Sequence, residues 1–170
     1  MTFRVEVCLH DGGEQRCSVM EMERAELTLA TLGMSVAEGK AMLHGVQDFM
    51  DTQQVVEDLK HKRVCSACGH RYPSKEAGTQ TVKTVFGAVE VPNPRWERCH
   101  CQAEGPRTFR PSAVCLQGAR TSRELLYLET KWASLIPFEK VADLMKEVLP
   151  VGDTTNHETV GNTSRPWPSV

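Results

Sequence analysis

Cys65-Ser66-Ala67-Cys68-Gly69 and, thirty residues on, Cys99-His100-Cys101 are the stretch on which the reading of this chain turns. A CxxC turn aims two thiolates at one ion, and a glycine after the second cysteine lets the backbone fold around it. Between the clusters, Val82-Lys83-Thr84-Val85-Phe86 and Val89-Glu90-Val91 flank Gly87-Ala88, ahead of Pro92 and Pro94. That pattern predicts a β-hairpin turning around Gly87-Ala88, whose joined ends deliver Cys99 and Cys101 beside Cys65 and Cys68. Four sulfurs at about 2.3 Å from a common centre make the tetrahedral shell of a structural Zn2+ site, here a zinc ribbon over residues 64–103. A closed shell leaves no open position for water, so such a zinc holds structure and does not catalyse. Three other readings compete: a redox CxxC, for which the βαβ context is missing; His100 in place of one of the final cysteines as ligand; and incidental cysteines, against which the double clustering argues. Cys115, alone in a polar loop, reads as a bystander.

Charge is distributed unevenly around this cluster. The 170 residues carry a formal charge of −2, yet residues 61–131 hold twelve Lys/Arg against six Asp/Glu, while residues 1–60 hold five against eleven. A basic middle between acidic ends points to a local anion-binding surface, though a solvated cationic face with no partner has the same composition. Lys62, Arg63, Arg71, Lys75, Lys83, Arg95 and Arg98 are the candidate phosphate contacts, with Tyr72 and Trp96 among them. Trp96 has a second use, packing over the metal knuckle, and that use is favoured. No apolar run approaches the roughly 18–20 residues of a membrane span. Met1-Thr2-Phe3-Arg4 opens directly into alternation with no apolar h-region, so the expected location is the cytoplasm, with cysteines as thiols or metal ligands.

Outward from the ribbon, Phe3, Val5, Val7 and Leu9 alternate with polar residues up to Asp11-Gly12-Gly13, the pattern of a hairpin strand and its turn. A two-residue Gly12-Gly13 turn sets Val5 opposite Met20, Phe3 opposite Met22 and Cys8 opposite Cys17. Ser35-Val36-Ala37-Glu38 is a capping box opening a long helix to about Arg63, with Met42, Val46, Phe49, Val56 and Leu59 on its apolar stripe and Gln53 filling a gap. Self-packing of that stripe is the default, and a dimer seam is the alternative. Residues 1–63 thus form a hairpin plus helix, and 104–120 a linker. In 121–160, Thr121-Ser122-Arg123-Glu124 and Thr155-Asn156-His157-Glu158 are further capping boxes. Leu125, Leu128, Trp132 and Leu135 make one inward face; Val141, Leu144, Met145, Val148 and Leu149 make another, between Pro137 and Pro150. Helix, glycine turn and capped helix in that order read as a helix-turn-helix, or as a plain bundle, and Asn156 and His157 would then meet DNA bases. Only one to two turns of the last helix are expected before Gly161 and the prolines that follow, and 161–170 reads as a disordered tail. The fold class is α+β.

Taken in order, Cys65-Ser-Ala-Cys-Gly69, Thr84-Val-Phe-Gly87, Cys99-His-Cys101 and Glu124-Leu-Leu-Tyr-Leu-Glu-Thr-Lys-Trp-Ala-Ser-Leu135 resemble the amino-terminal region of bacterial insertion-sequence transposases of the ISKra family. Val141-Ala-Asp-Leu through Leu149-Pro150 and Thr155-Asn-His-Glu-Thr-Val160 continue the likeness, which spans residues 1–160. The resemblance implies a DNA-binding front end of a protein whose RNase-H-like DDE domain cuts and rejoins transposon ends with two metal ions. No residues here match that domain, so the expectation is a non-enzymatic fragment, truncated before it, that binds transposon ends weakly and in a salt-dependent way. The alternative is an interaction module that dimerises or inhibits full-length transposase, or a remnant without function. No nucleophile, base and orienting group cluster at catalytic spacing.

Overall fold

The computed structural model describes residues 1–10, 13–101, 105–111, 120–152, 155, 158 and 160–161. Its order is β1 (Thr2–His10), β2 (Glu14–Glu23), α1 (Val36–Lys62), β3 (Ser74–Glu76), β4 (Thr79–Thr84), β5 (Gly87–Pro92), β6 (Arg95–Glu97), β7 (Thr108–Phe109), α2 (Arg123–Ala133) and α3 (Phe138–Val148). The α+β class stands. No helix among the described residues is long and apolar enough to cross a membrane.

Strands β1 and β2 pair antiparallel with Val5 opposite Met20 and Phe3 opposite Met22, as the alternation requires. Nearer the turn the register slips by one, so that Cys8 faces Arg16 and Val7 faces Cys17. The expected Cys8–Cys17 juxtaposition is therefore absent. Its cause is a bulge at Val19, which has no partner between the Val5–Met20 and Glu6–Ser18 pairs. Val19 presses on α1 at Gly45, where a β-carbon would stand 3.1 Å from its own. Glycine at 45 lets the bulge sit that close.

Helix α1 opens with the capping box read from the sequence. Ser35 Oγ accepts from the Glu38 amide at 3.2 Å, and a Glu38 carboxylate oxygen accepts from the Ser35 amide at 2.8 Å. Arg24, at the end of the hairpin, donates to both Glu38 oxygens at 2.8 Å and to the Gly33 carbonyl at 3.0 Å. This one guanidinium ties hairpin, loop and helix start together. On the stripe, Leu59 is buried, whereas Met42, Val46, Phe49, Gln53 and Val56 are half-buried and Val55 takes the deepest place.

Strands β4 and β5 form the expected hairpin, but Thr84 pairs with Gly87, so the turn is Val85-Phe86 and not Gly87-Ala88. Thr84 sets it: its hydroxyl accepts from the Phe86 amide and donates to the Gly87 carbonyl. Gly87 has φ +121°, and a β-carbon there would meet His44 Nδ1 at 2.5 Å, so only glycine suits the close approach to α1. A separate sheet, β3-β6-β7, leads into Cys99 and Cys101, and its third strand lies in the stretch 104–120 expected as linker.

Two cores result. Val55 and Leu59 of α1 pack with Val82, Val89 and Val91 of the hairpin and with Tyr72, Trp96, Cys65 and Cys99. Leu125, Val141, Ala142, Met145, Val151 and Val160 form the other, against which Val85 of the hairpin tip packs. Helix α2 is capped by Ser122, one residue later than the expected Thr121, with Ser122 Oγ accepting from the Leu125 amide. Leu135 (74% exposed) and Val148 (54%) lie outside the core, contrary to the expected inward faces. Helix α2 ends at Ala133, so Leu135 falls in the connecting turn. Pro137 and Leu149 flank α3 as read from the prolines. Thr155 Oγ1 is buried without a hydrogen-bond partner among the described residues, so the third capping box does not form there. Asn156, His157, Cys115 and the tail from 162 lie outside the described residues.

Candidate metal centre

Local backbone geometry builds the first half of the centre. The amide of Cys65 donates to the His70 carbonyl at 2.9 Å and that of Gly69 to the Cys65 carbonyl at 2.8 Å, closing a tight turn with Gly69 at φ +70°. Val64 bridges Arg71, and the Tyr72 amide donates to the Arg63 carbonyl at 2.9 Å. Cys65 and Cys68 are thereby presented from one knuckle. Strand β6 leads into Cys99 and Cys101, and it is held by β3 on one side and β7 on the other.

The four sulfurs lie within 4.8 Å of one another. Cys99 and Cys101 are 2.8 Å apart, Cys65 and Cys99 3.3 Å, and Cys65 and Cys101 as well as Cys68 and Cys101 3.4 Å. Sulfurs at about 2.3 Å from a tetrahedral ion would stand roughly 3.8 Å apart, so a small expansion accommodates one. No disulfide joins the described cysteines. Cys65, Cys68, Cys99 and Cys101 are thus grouped so that they could hold one metal ion, with His100 exposed and outside the set.

The Tyr72 side chain and the amides of Ala67 and Cys68 hydrogen-bond Cys65 and hold its thiol down at about 5, well below an ordinary cysteine. Cys99, Cys68 and Cys65 together push Cys101 far in the opposite direction. Four thiols this close cannot all ionise against one another; a divalent ion between them removes that conflict.

Beneath the knuckle sits an aromatic support. Trp96, 2% exposed, stacks on Tyr72 at 6.1 Å between ring centres, and Phe109 meets both edge-on at 5.1 and 6.0 Å. Trp96 thus packs in the core with Cys65 and Cys99, in keeping with the use favoured from the sequence, and neither it nor buried Tyr72 is free to stack on a base. Phe109 was missed because the ribbon was expected to end at residue 103.

Of the seven candidate cations, most make local contacts. Lys62 pairs with Asp58 at 2.8 Å, Arg63 donates to the Tyr72 carbonyl at 3.2 Å, and Arg95 donates to the Thr108 hydroxyl at 3.0 Å. Arg98 lies over the Phe109 ring at 5.6 Å, and Lys75 stands 3.8 Å from Glu97. Arg71 is exposed beside the knuckle. The ribbon sheet and its knuckle therefore gather Arg71, Lys75, Arg95 and Arg98. Lys83 belongs to a different sheet, where its amide donates to the Arg120 carbonyl and its carbonyl accepts from the Ser122 amide. Exposed Arg107 and Arg110 join the ribbon cations and were not foreseen, although both stand in the basic segment. An open groove of about 420 Å³ runs beside the knuckle, rimmed by Lys62, Arg98 and Arg110. No family model, no curated protein and no solved structure matches this chain.

Proposed function

We propose that this protein is a zinc-stapled, non-catalytic DNA-binding module of the insertion-sequence transposase kind, and that it works in a reducing, cytoplasmic setting. The observation that carries this reading is the four-thiol cage set in the one strongly basic segment of an otherwise acidic chain. All-sulfur tetrahedral shells suit Zn2+, which has no redox chemistry and stabilises a small sheet whose strands are too short to persist alone. Around it, Arg71, Lys75, Arg95, Arg98, Arg107 and Arg110 supply phosphate contacts, interleaved with Glu76 and Glu97. That interleaving makes the surface weakly attractive. Affinity for duplex DNA is accordingly modest and rests on counterion release.

Fluorescence anisotropy with a labelled duplex carrying the terminal repeats of a related element tests the reading. About four phosphate contacts give a loss of affinity near 100-fold between 50 and 200 mM salt. Arg71→Ala with Arg107→Ala flattens that slope without unfolding the protein, because both side chains are exposed. Absence of binding at 50 mM salt by folded, metal-loaded protein contradicts the proposal.

A second reading is favoured by a different observation. No residue of β1 or β2 is buried, and Phe3, Leu27, Leu29, Leu32, Met34 and Val36 are exposed at the same end of the chain. Under that reading the amino-terminal part binds another protein chain, a second copy or a full-length transposase.

A further inference from the structure

The hairpin β1–β2 is a two-stranded sheet with both edges open among the described residues. Two strands alone are marginally stable in water, and a long regular edge recruits another strand unless something blunts it. The β2 edge is blunted: it carries the Val19 bulge and charges at Glu14, Arg16, Glu21 and Glu23. The β1 edge is different. It runs for nine residues without bulge, proline or lysine, and every second residue directs its N–H and C=O away from β2.

We infer that β1 pairs antiparallel with β1 of a second copy of this chain, about a two-fold axis at Val5. The inference deepens the second reading above by naming the partner and the surface, and it is independent of DNA binding. Its argument is the self-complementarity of Thr2-Phe3-Arg4-Val5-Glu6-Val7-Cys8. Centred on Val5, Arg4 of each copy faces Glu6 of the other, Phe3 faces Val7, Val5 faces itself and Thr2 faces Cys8. Both Arg4–Glu6 pairs fall on the outward face, and the apolar pairs fall on the α1 side, where Val5 and Val7 are only half-buried in the single copy. A two-fold axis perpendicular to the sheet keeps like faces together, so both α1 helices cover the same side of a four-stranded sheet. Shifting the axis to Arg4 would set Arg4 against Arg4; shifting it to Glu6 would set Glu6 against Glu6, so charge selects this register. Within one copy Arg4 already lies 3.3 Å from Glu21 and 4.0 Å from Glu6 and stays more than half exposed, open to a further carboxylate.

Sedimentation equilibrium on the full, metal-loaded chain tests this. The wild type should form a dimer in the micromolar range. Arg4→Glu and Glu6→Arg should each raise the dissociation constant by about tenfold or more, and the double exchange should restore it to within about threefold, since every cross-copy pair is re-formed with its signs reversed. Thr2→Cys supplies a second readout. Mild oxidation of that variant with oxidised glutathione should yield a disulfide-linked peptide joining the introduced thiol to Cys8. Such a link can only be intermolecular, because six strand residues hold the two positions about 20 Å apart within one chain. A monomer at about 100 µM, a dimer indifferent to the single reversals, or a Thr2→Cys variant with no such peptide overturns the inference.

Discussion

Glu38 accepts hydrogen bonds from the Ser35 amide, the Arg24 guanidinium and the Ser35 hydroxyl, and these hold its carboxyl down at about 2 from an ordinary 4.5. A group whose folded value is depressed stabilises the fold above its unfolded value and loses that contribution as pH falls toward the folded one. For Glu38 the window is therefore between about pH 4.5 and 2. Comparing the melting temperatures of wild type and Glu38→Gln should show a constant deficit for the variant above pH 5 that shrinks below 4.5, as protonation makes the native side chain equally neutral. A deficit that stays level from pH 6 to 3 would contradict the assignment, and taking the difference removes effects common to both proteins, such as thiol protonation. Half of this arrangement was legible in the sequence, because a capping box is an i, i+3 pattern. Arg24 was not, since it lies 14 residues from Glu38 and nothing local marks it. The cluster of four cysteines was legible for the same reason as the cap: each pair sits within one short turn.

At the scale of elements, period and punctuation gave the hairpins and all three named helices, and the misplacements have physical causes. The bulge at Val19 moved half of β1 by one residue; the adjacent apolar pair Val19-Met20, both half-buried, was the visible break in alternation. The β4–β5 turn went to Val85-Phe86 because the Thr84 hydroxyl bonds both sides of it, which outweighed the glycine signal. Helix α2 stopped at Ala133 before its apolar stripe did. A test follows from that early stop. Met145 is wholly buried between α2 and α3, so Met145→Ala should cost about 3 kcal/mol in denaturant unfolding. Leu135→Ala, in the exposed turn, should change stability by no more than about 0.5 kcal/mol. Equal losses at the two positions would mean that the helix pair buries a different face.

Across the whole molecule, the hairpin β4–β5 joins the two cores. Its buried valines pack in one core with Val55 and Leu59 of α1 and with Cys65 and Cys99, while Val85 at its tip enters the helical cluster. Lys40 of α1 reinforces the junction by donating to the Lys146 and Glu147 carbonyls at 2.7 and 2.6 Å, the end of α3 where unpaired carbonyls gather. Long-range packing of this kind leaves no local pattern, so neither Val85 nor Lys40 could be assigned this place from the sequence. That connection makes the cysteine cluster consequential beyond its own strands: Cys65 and Cys99 are themselves core members beside Val55, Leu59 and Trp96.

The central claim is that a bound metal organises this core, and elemental analysis of the purified chain coupled to thermal melts with and without chelator tests it most directly. The account predicts about one zinc per chain, lost in Cys65→Ser, with chelation lowering the melting temperature and releasing Trp96 from its buried environment. Protein that contains no metal and melts identically in chelator would contradict it.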